Sequence, residues 1–286
     1  MITYTLPDFT QNLGLNLFFC RALKTSPEIC RDNVEVGSIY GCFPSCVLNG
    51  GRALVRNRYS TQQIEQTYNI LDEYGLTARL TLTNMFPREE DLNDEYLNTI
   101  LRLGAEHGAE AIIYSDKVRD FVRENYGMKT VLSTTRNITD INEFNAACKE
   151  NDFVVLDYSM HKDDSFLSAM EQPEKAEIMV NEFCVKGCTQ RAKHYQHNSV
   201  DQQDDAITEF VCPHNKADFF KHEQGHPVIF TADEVQKLSD KYGVQYFKIV
   251  GRGVPFATIL EALTYYIIKP QYHAEVKNLV MRSISS

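Results

Sequence analysis

The sequence predicts an α/β chain folded as a TIM-like (β/α)8 barrel, and three observations carry that prediction. Short apolar runs alternate with longer amphipathic stretches from residue 35 onward, the pattern of parallel strands joined by crossover helices. Eight such runs fit within 286 residues, an ordinary length for one closed barrel. Polar and thiol-bearing residues follow the ends of the runs, where barrels of this class carry their chemistry.

The elements follow in order. Residues 9–23 repeat apolar side chains at helical spacing, so 1–33 is expected to be a helical lead-in packed across one end of the barrel, with Cys20 in its apolar set. The first strand falls at 35–41 and runs into a loop, 42–52, containing Cys42, Cys46 and the pair Gly50-Gly51, which marks a tight turn or a close backbone approach. Ser60 is a natural N-cap for a helix ending near Gly75. Strands at 78–83, 111–114, 130–133, 153–156 and 176–180 then alternate with helices at 94–107, 116–126, 140–150 and 165–170. After the sixth strand the rhythm breaks for residues 181–226, a length that compact domains tolerate where a loop is functional or has structure of its own. A strand at 227–230, a helix at 232–242, a strand at 246–250 and a helix at 255–268 complete the barrel, leaving 269–286 as a tail. The expected organisation is a single domain, 1–286, with 181–226 as a cysteine-bearing insertion.

Composition narrows the function. The hydrophobic fraction of 43% and charged fraction of 24% are globular values, with no apolar run long enough to span a bilayer and no secretory leader at residues 1–4. A soluble, cytoplasmic protein without a membrane partner is expected. In that compartment eight cysteines point to buried hydrophobes, metal ligands or reactive thiols, not to a disulfide framework. The net charge of −10 opposes a general polynucleotide surface. Basic islands at Arg52, Arg56 and Arg58, and at Arg191, Lys193 and His194, suit one small anion or a short piece of RNA, or are solvated loop charges.

The densest chemistry lies at residues 181–195. Cys184 and Cys188 stand one turn apart behind Glu182, and Cys212 returns from the insertion. Soft thiolates at such spacing select zinc or an iron–sulfur cluster, and spacing does not separate the two. Two ligand sets are open: Cys46 with Cys184, Cys188 and Cys212, or the C-x3-C pairs Cys42/Cys46 and Cys184/Cys188. His194 or His214 in place of one sulfur would lean toward zinc, and Cys30 and Cys148 are assigned to structure. At 248–253, Lys248-Ile-Val-Gly-Arg252-Gly carries a strand into a helix, placing backbone N–H groups and an arginine where an anion would be attracted. The competing reading there is a tight turn with a surface arginine.

The run Glu182-x-Cys184-x3-Cys188-x2-Arg191-x2-His194-Tyr195, the loop from Tyr40-Gly41 to Gly50-Gly51-Arg52, and Phe247-Lys248-Ile249-Val250-Gly251-Arg252 resemble the collagenase-like peptidase family. That family's hydroxylase branch contains proteins for oxygen-independent hydroxylation of ubiquinone precursors, tRNA and rRNA. The resemblance spans residues 34–268. It implies a TIM-like barrel and, in that branch, a [4Fe–4S] cluster on four cysteines, placed by position on Cys46 or its neighbour Cys42, and on Cys184, Cys188 and Cys212. The chain departs from the family at Val250, where a glutamate is usual, and with only residues 269–286 after the last expected helix, the extra C-terminal domain of longer members is not expected.

Two classes of function follow. In the first, the chain is an iron–sulfur oxidoreductase of the hydroxylase type: Arg52, Arg191, Lys248 and Arg252 receive a small anionic substrate, and Glu182, His194 and Tyr195 handle protons. The alternative is a peptidase or hydrolase, as the family name suggests, or a non-catalytic, metal-stapled subunit serving a partner protein or a second copy. No serine elbow is present, and His222-Glu223-Gln224-Gly225-His226 has the wrong order for a metalloprotease helix, although zinc there is a further option.

Overall fold

A computed structural model describes residues 1–50, 57–204, 208–212 and 225–285. Eight parallel strands close into one barrel in sequence order: β1 (Ile2–Pro7), β2 (Val34–Gly41), β3 (Thr77–Leu82), β4 (Glu110–Ile113), β5 (Thr130–Leu132), β6 (Phe153–Val155), β7 (Ala176–Met179) and β8 (Tyr246–Lys248). Closure is made by β1, which pairs with β2 on one side and with β8 on the other, Thr5 lying opposite both Ser38 and Lys248.

The expected barrel is therefore present, but its strands are not quite the eight expected. Residues 1–33 hold β1 as well as the helix Leu13–Thr25, so the lead-in contributes a staple of the barrel. Residues 227–230 do not enter the ring. Ile229 forms an antiparallel bridge with Asn181, and the Phe230 N–H donates to the Val180 carbonyl, so this run caps the exit of β7. One missed strand and one surplus strand cancel in the count, and the cysteine insertion follows the seventh strand, not the sixth. Within it lies a helix, Arg191–Gln203, and the expected tail is a helix, His273–Ser285, that buries Val276 and Val280.

Most crossover helices start where their caps dictate. Ser60 and Thr231 each complete a reciprocal capping box, with Gln63 and Glu234 respectively, and Asp94 and Asp140 accept N–H groups of the first turns they precede. Along the strands, Ile39, Leu80, Ala111, Val154, Ile178 and Phe247 are buried, and period-two alternation puts them on the helix-facing side. The intervening residues point into the barrel, and there the chain is polar: Thr5, Ser38, Arg79, Thr81, Glu110, Glu177 and Lys248 are all buried.

Candidate functional site at the barrel mouth

A ring of buried charge forms the barrel floor. The Arg79 guanidinium donates to Glu110 Oε2 at 2.7 Å and to Glu177 Oε1 at 2.6 Å, and the Thr5 hydroxyl donates to the same Glu177 oxygen at 2.6 Å. Arg79 also lies 4.7 Å over the Phe153 ring, which closes the barrel beneath it against Tyr246. Glu177 and Arg79 come from strands on opposite sides of the ring, and each would be costly alone in such a place. The second carboxylate oxygen, Glu177 Oε2, accepts no hydrogen bond and lies 3.9 Å from the Lys248 amine.

Lys248 is the link from floor to mouth. Its ammonium sits 4.0 Å over the Tyr40 ring, at the C-terminal end of β8. Burial, opposed in part by Glu177, holds its pKa down at about 8, with Arg79 and Arg252 pushing the same way as burial. Above it opens a cavity lined by Tyr40, Thr81, Ser133, Tyr195, Lys248 and Arg252, with Met179, Val155 and Ile112 as its apolar wall and Glu182 at its rim. Arg252 turns inward, donating to the Thr81 hydroxyl and, at 2.9 Å, to the Asn49 side-chain carbonyl. The turn that places it is tight: a Cβ on Gly251 would come within 2.7 Å of Pro7, while the Gly251 N–H donates to the Tyr40 phenol at 3.3 Å. Gly50 is the close backbone approach expected, since a Cβ there would lie 2.3 Å from the Thr83 carbonyl; Gly51, Arg52 and Arg56 lie outside the described residues.

The loop after β7 is organised around one carboxylate. Glu182 accepts the N–H groups of Phe183 and Cys184 at 2.8 and 3.0 Å and pairs with Arg191 at 2.9 Å, both side chains buried. Arg191 is held between the Tyr158 and Tyr195 rings, at 4.3 and 5.3 Å. The Tyr158 hydroxyl donates to the Val185 carbonyl and accepts the Cys188 N–H, so the ring and the ion pair together fix the thiol-bearing turn. Behind them is the fully buried His161, held down at about pKa 4 by desolvation. Tyr195 lines the cavity, whereas His194 stacks on Phe210 at 4.5 Å.

The thiols sit in three different settings. Cys42 and Cys46 are buried against each other, and burial, followed by the Cys46 neighbour, raises the Cys42 thiol well above its ordinary range. Cys184 and Cys188 are half-buried on the loop, and Cys212 is exposed. Among the described residues no three His, Cys, Asp or Glu side chains are grouped to hold a metal ion. Cys46, Cys184, Cys188 and Cys212 are therefore not among any such group. His214, His222, Glu223 and Gln224 lie outside the described residues. Cys20, Cys30 and Cys148 are buried in the core.

Sequence reasoning passed over Arg79 and Glu177, and with them the barrel floor. Their signal was a single charge inside an apolar strand, in Ala78-Arg79-Leu80 and Ala176-Glu177-Ile178. A strand covered on both faces rarely carries such a charge unless it is paired.

No family model and no curated protein matches the sequence. Among solved structures, the fold is similar to that of the U32 peptidase Mk0906, with a TM-score of 0.55 and 12% identity over 89% of this chain and 94% of that one. The spore cortex-lytic enzyme SleL of Bacillus cereus aligns with a TM-score of 0.41 at 12% identity, over 93% of this chain and 74% of that one. Its Bacillus megaterium counterpart gives 0.43 at 9% identity over the same shares. At 12% identity the likeness to Mk0906 is one of fold. Among the described residues no helix is long and apolar enough to cross a membrane.

Proposed function

We propose that the chain is a barrel hydrolase that cleaves a small amide bearing a free carboxylate, and that it does so in the cavity over Lys248. The observation carrying this reading is the convergence of a buried amine, an inward arginine and several hydroxyls on one cavity at the C-terminal end of the barrel. Arg252 would receive the substrate carboxylate, and the Lys248 amine, part neutral near pH 7, would take a proton from the attacking water. Glu177 would stabilise the ammonium so formed. Glu182 is committed to its own loop and to Arg191, so it would shape the rim and position Tyr195 through that arginine. The fold shared with a U32 peptidase, together with the sequence resemblance to collagenase-like peptidases, agrees with this class of reaction. Incubation with short peptides carrying a free C-terminus should release new amines, and amidating that C-terminus should suppress release; equal cleavage of both forms would overturn the reading.

An oxygen-independent hydroxylase holding a [4Fe–4S] cluster is a second reading, favoured by Cys184 and Cys188 standing on the one loop that also carries Glu182, a residue lining the cavity. Such a cluster would supply electron transfer. It requires Cys212 and a fourth thiol to close on that loop. Equal iron and sulfide after anaerobic purification, lost in Cys184→Ala, would support this reading over the first.

A further inference from the structure

We propose that Lys248 also acts as a nucleophile, condensing with small 2-oxo carboxylates to form a Schiff base at the barrel mouth. This goes beyond the hydrolase reading, since it adds a covalent reaction with a ketone to the role of a base.

Four features of the site point the same way. First, the Lys248 side chain is 10% exposed and borders the cavity, so a small carbonyl compound can reach an amine that bulk water largely does not. Second, the amine is not locked in a close ion pair: Glu177 Oε2 is 3.9 Å away, beyond hydrogen-bonding range, and the other carboxylate oxygen is taken by Thr5 and Arg79. Burial with cations nearby is how lysine amines are made nucleophilic near neutral pH, and both conditions hold here. Third, Glu177 Oε2 has no hydrogen-bond partner although it is fully buried. It therefore leaves a negative charge beside the amine that can offset the positive charge of a protonated Schiff base. Fourth, the cavity offers Arg252 for a carboxylate and Met179, Val155 and Ile112 for a short carbon chain. A 2-oxo acid carries those groups next to its ketone.

The step balances without an oxidant or reductant. The neutral amine adds to the ketone carbon, forming a C–N bond as the C=O π bond breaks, and one nitrogen proton moves to the oxygen to give a carbinolamine; the second nitrogen proton leaves with the hydroxyl in the next step. Loss of the hydroxyl as water leaves the C=N bond. One water departs for each carbonyl consumed.

The test is reductive trapping. The whole protein is incubated with pyruvate and sodium cyanoborohydride, and the products are read by intact mass and peptide mapping. One reduced pyruvate per chain is expected, mapping to Lys248, with acetone, the ketone lacking the carboxylate, trapped at least roughly tenfold more slowly for want of the charged contact. Lys248→Arg keeps the positive charge and should lose the adduct. Adducts spread over surface lysines, or pyruvate and acetone trapped at equal rates, would overturn the proposal. The wild-type peptide map decides the matter even if that variant fails to fold. Peptide release with no adduct would sink the Schiff base and leave the hydrolase reading standing; an adduct with no peptide release would do the reverse.

Discussion

The barrel floor and the loop after β7 each bury an arginine with a glutamate, and the two pairs do different work. Arg79 and Glu177 are 98 residues apart and meet only because the barrel closes; what they leave over is one carboxylate oxygen facing the Lys248 amine. Glu182 and Arg191 are nine residues apart, and their spare bonds go to their own loop and to the aromatic rings of Tyr158 and Tyr195. The long-range pair sets the charge around the Lys248 amine, while the local pair fixes a shape. Burial alone thus does not mark a functional charge, nor does a buried polar atom left outside the hydrogen bonds, since both pairs have one; what matters is whether that atom faces a group that borders the cavity, as Glu177 Oε2 faces the Lys248 amine.

The most severe way to break this distinction is at the amine. Lys248→Met should lower peptide turnover by about 10²–10⁴-fold, the usual contribution of a positioned acid or base, with the urea midpoint little changed. Loss of both in proportion would make Lys248 a structural residue. Glu182→Ala should do the opposite: removing one partner of a buried pair costs about 3–5 kcal/mol, because Arg191 is left charged between two rings. Urea unfolding should show this as a shifted midpoint. A drop in turnover with unchanged stability would instead move Glu182 into the chemistry.

A gentler probe uses pH. His161 has a folded pKa of about 4, below its unfolded value, so the unfolded chain binds more protons between about pH 6.5 and 4 and stability falls as the solution is acidified through that window. By pH 5 the loss from this group is about 2 kcal/mol, before the carboxylates of Asp91, Asp163 and Asp164, whose pKa values are lowered, begin to protonate. His273, also held below its ordinary range, adds in the same direction. His161→Gln should flatten the curve of unfolding free energy between pH 6.5 and 5 by that amount. An unchanged slope would mean that His161 is solvated when it protonates.

The smallest effects are expected at the thiols. Cys42 and Cys46 share the C-x3-C spacing of Cys184 and Cys188, but one pair is packed in the core and the other stands on a loop. Cys46→Ala should cost roughly 1–2 kcal/mol through the cavity it leaves. Cys188→Ser should change stability by no more than about 0.5 kcal/mol and leave peptide turnover within about twofold. Loss of turnover in the serine variant would restore the thiol loop to the centre of the function.

These contrasts show what was legible in the sequence. The alternation of apolar runs and capped helices specified the barrel because each signal is local: Ser60, Asp94, Asp140 and Thr231 start helices wherever they occur. β1 was missed because it is a short run with threonines at alternate positions, which face the barrel interior, and 227–230 was mistaken for a strand because an apolar run at a strand's exit reads the same as one in the ring. Lys248 and Arg252 stood out because they flank a glycine turn at a strand's exit, and Tyr195 because it closes the dense polar run after Cys188; all three line the cavity. Glu177, Arg79 and the geometry of the thiols depend on closure, and spacing along the chain does not report which side of a barrel a residue faces.

The most direct test of the central claim is the titration of the Lys248 amine by trace acetylation across pH, read by peptide mass. Half-maximal reactivity near pH 8 is expected, suppressed by a small carboxylate that fills the cavity. Reactivity that rises only near the ordinary lysine value of about 10.4, and is indifferent to carboxylates, would contradict it.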